Sequence, residues 1–206
     1  MGYRTEQENF WAGKFGNDYI ERNALNRTIR SNIRLFSRIL ERTTRVESLI
    51  EFGSNIGSNL KAIQTLIPDI NLSAIEINKQ CIPHLQRITN CKVHSVSIFD
   101  YNVEEQFDFV LTNGVLIHIN PDMLNLVYEK MYESSKRYIC IAEYYNPTPV
   151  ELTYRDHEGQ LFKRDFAGEL LDNHNDLELI DYGFIYHRDN TFPLDDLTWF
   201  LIKKNN

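Results

Sequence analysis

Residues 49–57 read Leu49-Ile50-Glu51-Phe52-Gly53-Ser54-Asn55-Ile56-Gly57, a mostly apolar run that ends in glycine and carries a second glycine four positions on. A short apolar run predicts a buried strand, and the glycines predict a tight turn into a following helix. Gly53 lets the backbone turn and come close to a ligand, while Gly57 lets the helix pack near the sheet. The spacing excludes two common phosphate loops. A dinucleotide loop reads GxGxxG, and Asn55 stands at its second glycine, where a side chain obstructs a pyrophosphate. A triphosphate loop ends in GK[ST], which is absent here.

Working outward, comparable apolar segments occur at 72–77, 92–96, 107–112 and 138–144, with helix-forming stretches between them at 57–66, 79–88 and 121–135. Strands alternating with helices imply right-handed crossovers and a parallel sheet covered on both faces. Segments 177–187 and 197–203, joined by a loop with Asn190 and Pro193, predict an antiparallel closing pair. Upstream, Phe10, Trp11, Phe15, Ile20, Leu25, Ile29, Ile33, Phe36, Ile39 and Leu40 recur mostly three to five apart, which predicts a helical section over 5–42. The fold class expected is α/β: a seven-stranded, mostly parallel sheet with an antiparallel last strand and N-terminal helices. No repeat, low-complexity tract or linker divides the 206 residues, so one domain is expected.

The formal charge is −7 and the pI near 5.4, a balance that argues against binding to bare phosphate backbone; no nucleic-acid partner is expected. No apolar run spans a bilayer and the start MGYRTEQENFW lacks a signal-peptide core, so neither a membrane partner nor export is expected, and the cytoplasm is the expected location. Cys81, Cys91 and Cys140 lack CxxC spacing and read as free thiols, with Cys140 buried. The six histidines form no ligand-like set, so no metal is expected.

The pattern E-x-G-x-x-x-G at Glu51, Gly53 and Gly57 resembles motif I of the S-adenosylmethionine enzymes, with Ser54 and Asn55 in the turn. Glu76 ends the second apolar segment, where a carboxylate can accept both hydroxyl hydrogens of a ribose, with Ile77 beside the adenine. At the third strand end, Ser97 or Asp100 can meet the adenine edge, and Ile98 and Phe99 supply an apolar wall. The segment 107–121 resembles the strand-four motif of methyltransferases. It places Asn113 and Gly114 beneath the methionine part of the cofactor and His118 just beyond, as a general base whose ordinary titration near neutrality suits the task. Pro121 marks a helix start.

Over its whole length the chain resembles the methyltransferases associated with pseudaminic acid biosynthesis. The resemblance runs through EQENFWAGKFGNDYIERN (6–23), GVLIHINPDML (114–124), IAEYYNPTPVELTYRDHEGQLFKRDFAG (141–168) and DYGFIYHRDNTFPLDDLTWFLIKK (181–204). Asp156 replaces an expected glycine, Asn113 an expected lysine and Phe52 an aliphatic residue. The resemblance implies a Rossmann-like fold and a transferase using S-adenosyl-L-methionine in nonulosonic acid or surface-glycan metabolism.

On this reading the chain divides into a helical cap (1–45), a cofactor-binding core (46–144), a substrate lid (145–176) and closing strands (177–206). The lid region is rich in donors and cations, and Tyr144, Tyr145, Asn146, Tyr154, Arg155, His157, Lys163 and Arg164 are its candidates for holding an acidic or nucleotide-linked sugar. In the cap, Trp11 and Tyr19 are candidates for covering the cofactor, and Arg22 for its carboxylate. Two alternatives stand beside the sugar methyltransferase: a cofactor-binding protein of a glycosylation complex that does not turn over, and a protein methyltransferase.

Overall fold

The computed structural model describes residues 2–23 and 29–205, the side chains of 21–23 excepted. Three helices open the chain: α1 (Glu6–Ala12), α2 (Lys14–Asn23) and α3 (Ile29–Leu40). Thr5 and Glu8 start α1 with a reciprocal cap, in which each side chain accepts from the other's backbone N–H at 3.2 Å. Gly13 ends it. In α3, Leu35, Phe36 and Ile39 form a fully buried stripe one turn wide, and that stripe seats the helix on the sheet.

The core then alternates as β1 (Ser48–Phe52), α4 (Ser58–Leu66), β2 (Asn71–Ile75), α5 (Ile82–Leu85), β3 (Cys91–His94), β4 (Phe107–Asn113), α6 (Leu124–Ser134) and β5 (Ser135–Glu143). A hairpin follows, β6 (Val150–Tyr154) with β7 (His157–Lys163), then α7 (Phe166–Asn173), β8 (Leu177–Ile185) and β9 (Leu197–Lys204). The main sheet has seven strands in the order β3-β2-β1-β4-β5-β9-β8. Pairings from β3 through β5 are parallel, and β9 alone runs against its neighbours. This matches the expected sheet, its reversed last strand included.

Strand residues alternate between two cores. Leu49, Leu72, Phe109 and Leu111 face α3 and α4, whereas Ile50, Phe52, Val110 and Ile139 face α6 and α7. Two expectations need correction. The helix read over 79–88 is the single turn α5, which starts beside Pro83 because a proline cannot lie inside a helix running from 79. The segment read as a substrate lid, to which the sequence assigns no strands, contains a two-stranded sheet whose turn is made by Arg155 (φ 50°) and Asp156 (φ 66°) in the left-handed region.

Candidate active site

The carboxyl ends of β1, β2 and β4 open onto one cavity of about 270 Å³, closed from the N-terminal side by α1 and α2. Gly53 N and Ser54 N both donate to Ile75 O at 3.0 Å, so the turn after β1 is tied to β2. Gly53 has φ 77°, and a Cβ there would lie 2.7 Å from Val115 Cγ2. Only glycine fits. Asn55 is also left-handed (φ 47°) and folds its side chain back to accept from Ile56 N at 2.7 Å. Gly53, Ser54 and Asn55 line the cavity as the sequence implied. Gly57 does not: its φ is 77° and a Cβ would lie 2.4 Å from Ile88 Cδ1, so it is kept for packing of α4 against the α5 segment and not for ligand contact.

Glu76, one residue past β2, is buried at the cavity wall. Its Oε2 accepts from Asn55 N and its Oε1 from Asn78 N, both at 2.7 Å. Burial raises its pKa against the pull of those donors. A carboxylate has about four acceptor positions, and the Asn55, Asn78 and Ile77 amides leave acceptor capacity for a ligand. Ile77, Ser97, Ile98 and Phe99 also line the cavity; Ser97 Oγ accepts from Phe99 N at 3.1 Å and shapes that turn. Asp100 does not belong here: it is exposed and paired with Arg4.

Asn113 and Gly114 lie at the end of β4 and on the cavity wall, followed by a 3-10 turn, Leu116–His118. Glu143, which the sequence reading passed over as the end of an apolar strand, holds this turn. Its Oε1 accepts from Thr112 Oγ1 (3.1 Å), Val115 N (3.0 Å) and Leu116 N (3.0 Å), and its Oε2 from Ile117 N (3.4 Å). Burial pushes the Glu143 carboxyl up to about 7 in spite of these four donors.

His118 is buried on the cavity wall with its ring 4.6 Å from that of Trp11 and 4.9 Å from that of Tyr154. Nδ1 lies 2.6 Å from Gln160 O, a carbonyl that can only accept, so the ring proton sits on Nδ1 and the lone pair on Nε2. Desolvation pushes the ring down to about 4. The titration near neutrality expected from sequence is thereby corrected: His118 is neutral across the physiological range because burial disfavours its cation.

Glu51 is likewise corrected. It lies fully buried beneath the cavity floor, outside the lining, and accepts from Asn59 Nδ2 at 2.7 Å. Asn59 accepts in turn from Asn32 Nδ2 at 2.8 Å, and both asparagines line the cavity. Glu51 thus acts through Asn59. Its Oε2 is buried without a partner, and burial pushes the carboxyl up to about 8. A carboxyl near 8 when folded and near 4.5 when unfolded holds its proton in the native state between those values, so its contribution to stability falls as pH rises from about 4.5 to about 8. Denaturant titrations of wild type and Glu51→Gln across that window are expected to show the slope reduced in the variant; parallel curves would contradict the assignment.

From the N-terminal section, Trp11 and Tyr19 line the cavity together with Gln7 and Glu8, two buried polar residues that the sequence reading did not single out. The signal for Glu8 was its place three after Thr5. Arg22 lies outside the described side chains. The eight lid candidates all lie off the cavity wall. Tyr154 comes nearest, against His118, and Tyr144 packs with the core below Lys163 Nζ, 5.1 Å from its ring centroid. Tyr145 packs with Phe200, Asn146 bonds Thr148 O at 2.6 Å, and His157 meets Phe10 and Phe15. Arg164 is taken by Glu169 at 2.5 Å, and Arg155 is exposed at the hairpin turn. Of the lid cations, Arg164 pairs with Glu169 of α7, Lys163 lies over the Tyr144 ring and Arg155 over the Tyr154 ring, and none of the three is on the cavity wall.

Among the described residues, no group of three or more His, Cys, Asp or Glu is placed to hold a metal ion, and no helix is long and apolar enough to cross a membrane. Cys81 lines the cavity and Cys140 is buried in β5, both with thiol pKa values raised by burial.

No family model and no curated protein matches the chain by sequence. Solved structures match it by shape. The Burkholderia thailandensis 1,6-didemethyltoxoflavin-N1-methyltransferase, solved with its substrate and S-adenosylhomocysteine, is 13% identical with a TM-score of 0.71, over 100% of this chain and 94% of that one. The plantazolicin methyltransferase BpumL, solved with S-adenosylhomocysteine, is 13% identical with a TM-score of 0.68, over 97% and 94%. The N-methyltransferase NodS from Bradyrhizobium japonicum WM9 is 14% identical with a TM-score of 0.63, over 92% and 99%. With its strand order and its reversed β9, the chain has the Rossmann-like fold of the class I S-adenosylmethionine-dependent methyltransferases.

Proposed function

We propose that this chain is an S-adenosylmethionine-dependent methyltransferase with a small-molecule acceptor, of the nonulosonic or nucleotide-linked sugar type that its sequence resemblance implies. The observation that carries the cofactor is Glu76: a buried carboxylate with acceptor capacity left over, beside a turn so tight that Gly53 admits no Cβ. The residues present fit that group. Glu76 would hold the ribose hydroxyls, Ile77, Ile98 and Phe99 the adenine, and Gly53, Asn113 and Gly114 the amino-acid portion. When bound, the cofactor supplies a methyl group already activated on a sulfonium, so no metal or covalent intermediate is needed.

The protein's work is alignment and exclusion of water. Trp11 and Tyr19 cover the cavity from α1 and α2, and Glu143 fixes the turn that presents His118. Nε2 of His118, neutral and aimed by Gln160 O, receives a hydrogen bond from the acceptor and orients it. The solved structure of similar fold that holds 1,6-didemethyltoxoflavin supports a small acceptor.

His118→Ala is expected to bind S-adenosylhomocysteine as wild type does and, through lost positioning of the acceptor, to lose about a hundredfold in kcat. The check is calorimetry beside mass-spectrometric detection of methyl gain on CMP-linked nonulosonates, the free sugars and their amino-sugar precursors. Wild-type turnover retained by the variant would remove His118 from the chemistry.

A further inference from the structure

Three polar side chains meet where α1 packs on the β6–β7 hairpin. Gln7 and Trp11 lie one turn apart on the same side of α1 and both line the cavity. Gln7 Nε2 donates to Gly159 O at 2.7 Å, which fixes the amide and leaves Oε1 buried without a partner. Trp11 Nε1 is buried without an acceptor. The third atom is His118 Nε2, whose lone pair follows from the bond of Nδ1 to Gln160 O. Gly159 and Gln160 are consecutive, so one stretch of β7 positions two of the three groups. Buried polar atoms without partners are costly, and two of them on residues that line one cavity point to a ligand's own polar groups.

The count of donors and acceptors discriminates among ligand groups. A carboxylate or phosphate brings no hydrogen and would face two acceptor atoms, with the Glu8 carboxylate beside them. A hydroxyl brings one hydrogen for two acceptors. A neutral primary amine brings two, for Gln7 Oε1 and His118 Nε2, and keeps its lone pair free. The indole N–H then serves an oxygen on a neighbouring carbon. The lining also disfavours an anionic group there: among the described residues it carries Glu8, Glu76 and Asp195 and no lysine or arginine.

We propose that Gln7 Oε1, Trp11 Nε1 and His118 Nε2 form the acceptor subsite, that it takes a neutral amino group, and that the chain methylates nitrogen. This rests on the methyl-transfer reading above. The amine lone pair forms the new N–C bond while the C–S bond breaks with its electrons on sulfur, leaving a neutral thioether. The nitrogen becomes an ammonium and gives one proton to water. His118 orients the amine and takes no proton, which agrees with a ring pushed down to about 4 by burial.

The test offers amino-sugar nucleotides and nonulosonate precursors in pairs, each with a free amine and after N-acetylation, to protein supplied with methyl-labelled S-adenosylmethionine. Label is expected only in the free-amine member of a pair. Label in an N-acetylated or amine-free sugar overturns the proposal. In parallel, Trp11→Phe is expected to keep S-adenosylhomocysteine affinity while KM for the amine rises about tenfold, or 1.4 kcal/mol. Equal loss of cofactor affinity would assign these atoms to the cofactor and overturn the subsite. Failure of the underlying reading looks different: no binding of S-adenosylhomocysteine removes the cofactor, and normal binding with no label in any pair removes methyl transfer and the subsite together.

Discussion

Replacing Glu143 by alanine is expected to destabilise the fold by about 4 kcal/mol, the range for stripping a buried carboxylate from groups that depend on it. The substitution leaves the Val115, Leu116 and Ile117 amides and the Thr112 hydroxyl facing a void, since each donates to that one side chain. In a chain of this size such a loss lowers Tm by about 10 °C. Glu143→Gln separates charge from shape. Its Oε1 can still accept three of the bonds, but its amide hydrogens face the Ile117 N–H, so an intermediate loss is expected. Thermal melts of both variants check the ranking. Alanine and glutamine variants melting with wild type would show that the turn is held by something else.

Replacing Glu76 by alanine is expected to weaken S-adenosylhomocysteine at least about a hundredfold. Charge-assisted hydrogen bonding to the ribose is lost, worth roughly 1.5–3 kcal/mol per bond, against 1.4 kcal/mol for each factor of ten. The variant also frees Asn55 N and Asn78 N, which loosens the turn after β1. Glu76→Gln keeps the shape and one acceptor oxygen, and should fall between the two. Affinity unchanged in both would mean that the ribose lies elsewhere.

Local signals made the sheet legible in the sequence. Each parallel strand is a short apolar run bounded by a turn, and the closing pair shows as two longer runs around Asn190 and Pro193, which is why strand number and the reversed last strand follow from the residues. The turn at Gly53 is legible for the same reason, because a Cβ there would strike Val115. What sequence hides is the direction in which a side chain points. Glu51 and Glu76 read alike as acids at strand ends, yet Glu51 lies on the α4 side of β1, under Asn59, whereas Glu76 stands one residue past β2 on the cavity wall. Arg164 reads as a free cation until the chain folds it against Glu169, and Glu143 reads as the end of a strand until three amides converge on it. Gln7 could not be found from periodicity at all, since its partner Gly159 is 152 residues away.

The central claim is that the turn at Gly53, Glu76 and the ends of β3 and β4 build a cofactor site. Calorimetric titration of the wild-type chain with S-adenosylhomocysteine tests it most directly. Saturable binding at one site per chain, weakened by Glu76→Ala and preserved in His118→Ala, is the result this account predicts. No heat of binding at high micromolar ligand, from protein that melts cooperatively, would contradict it.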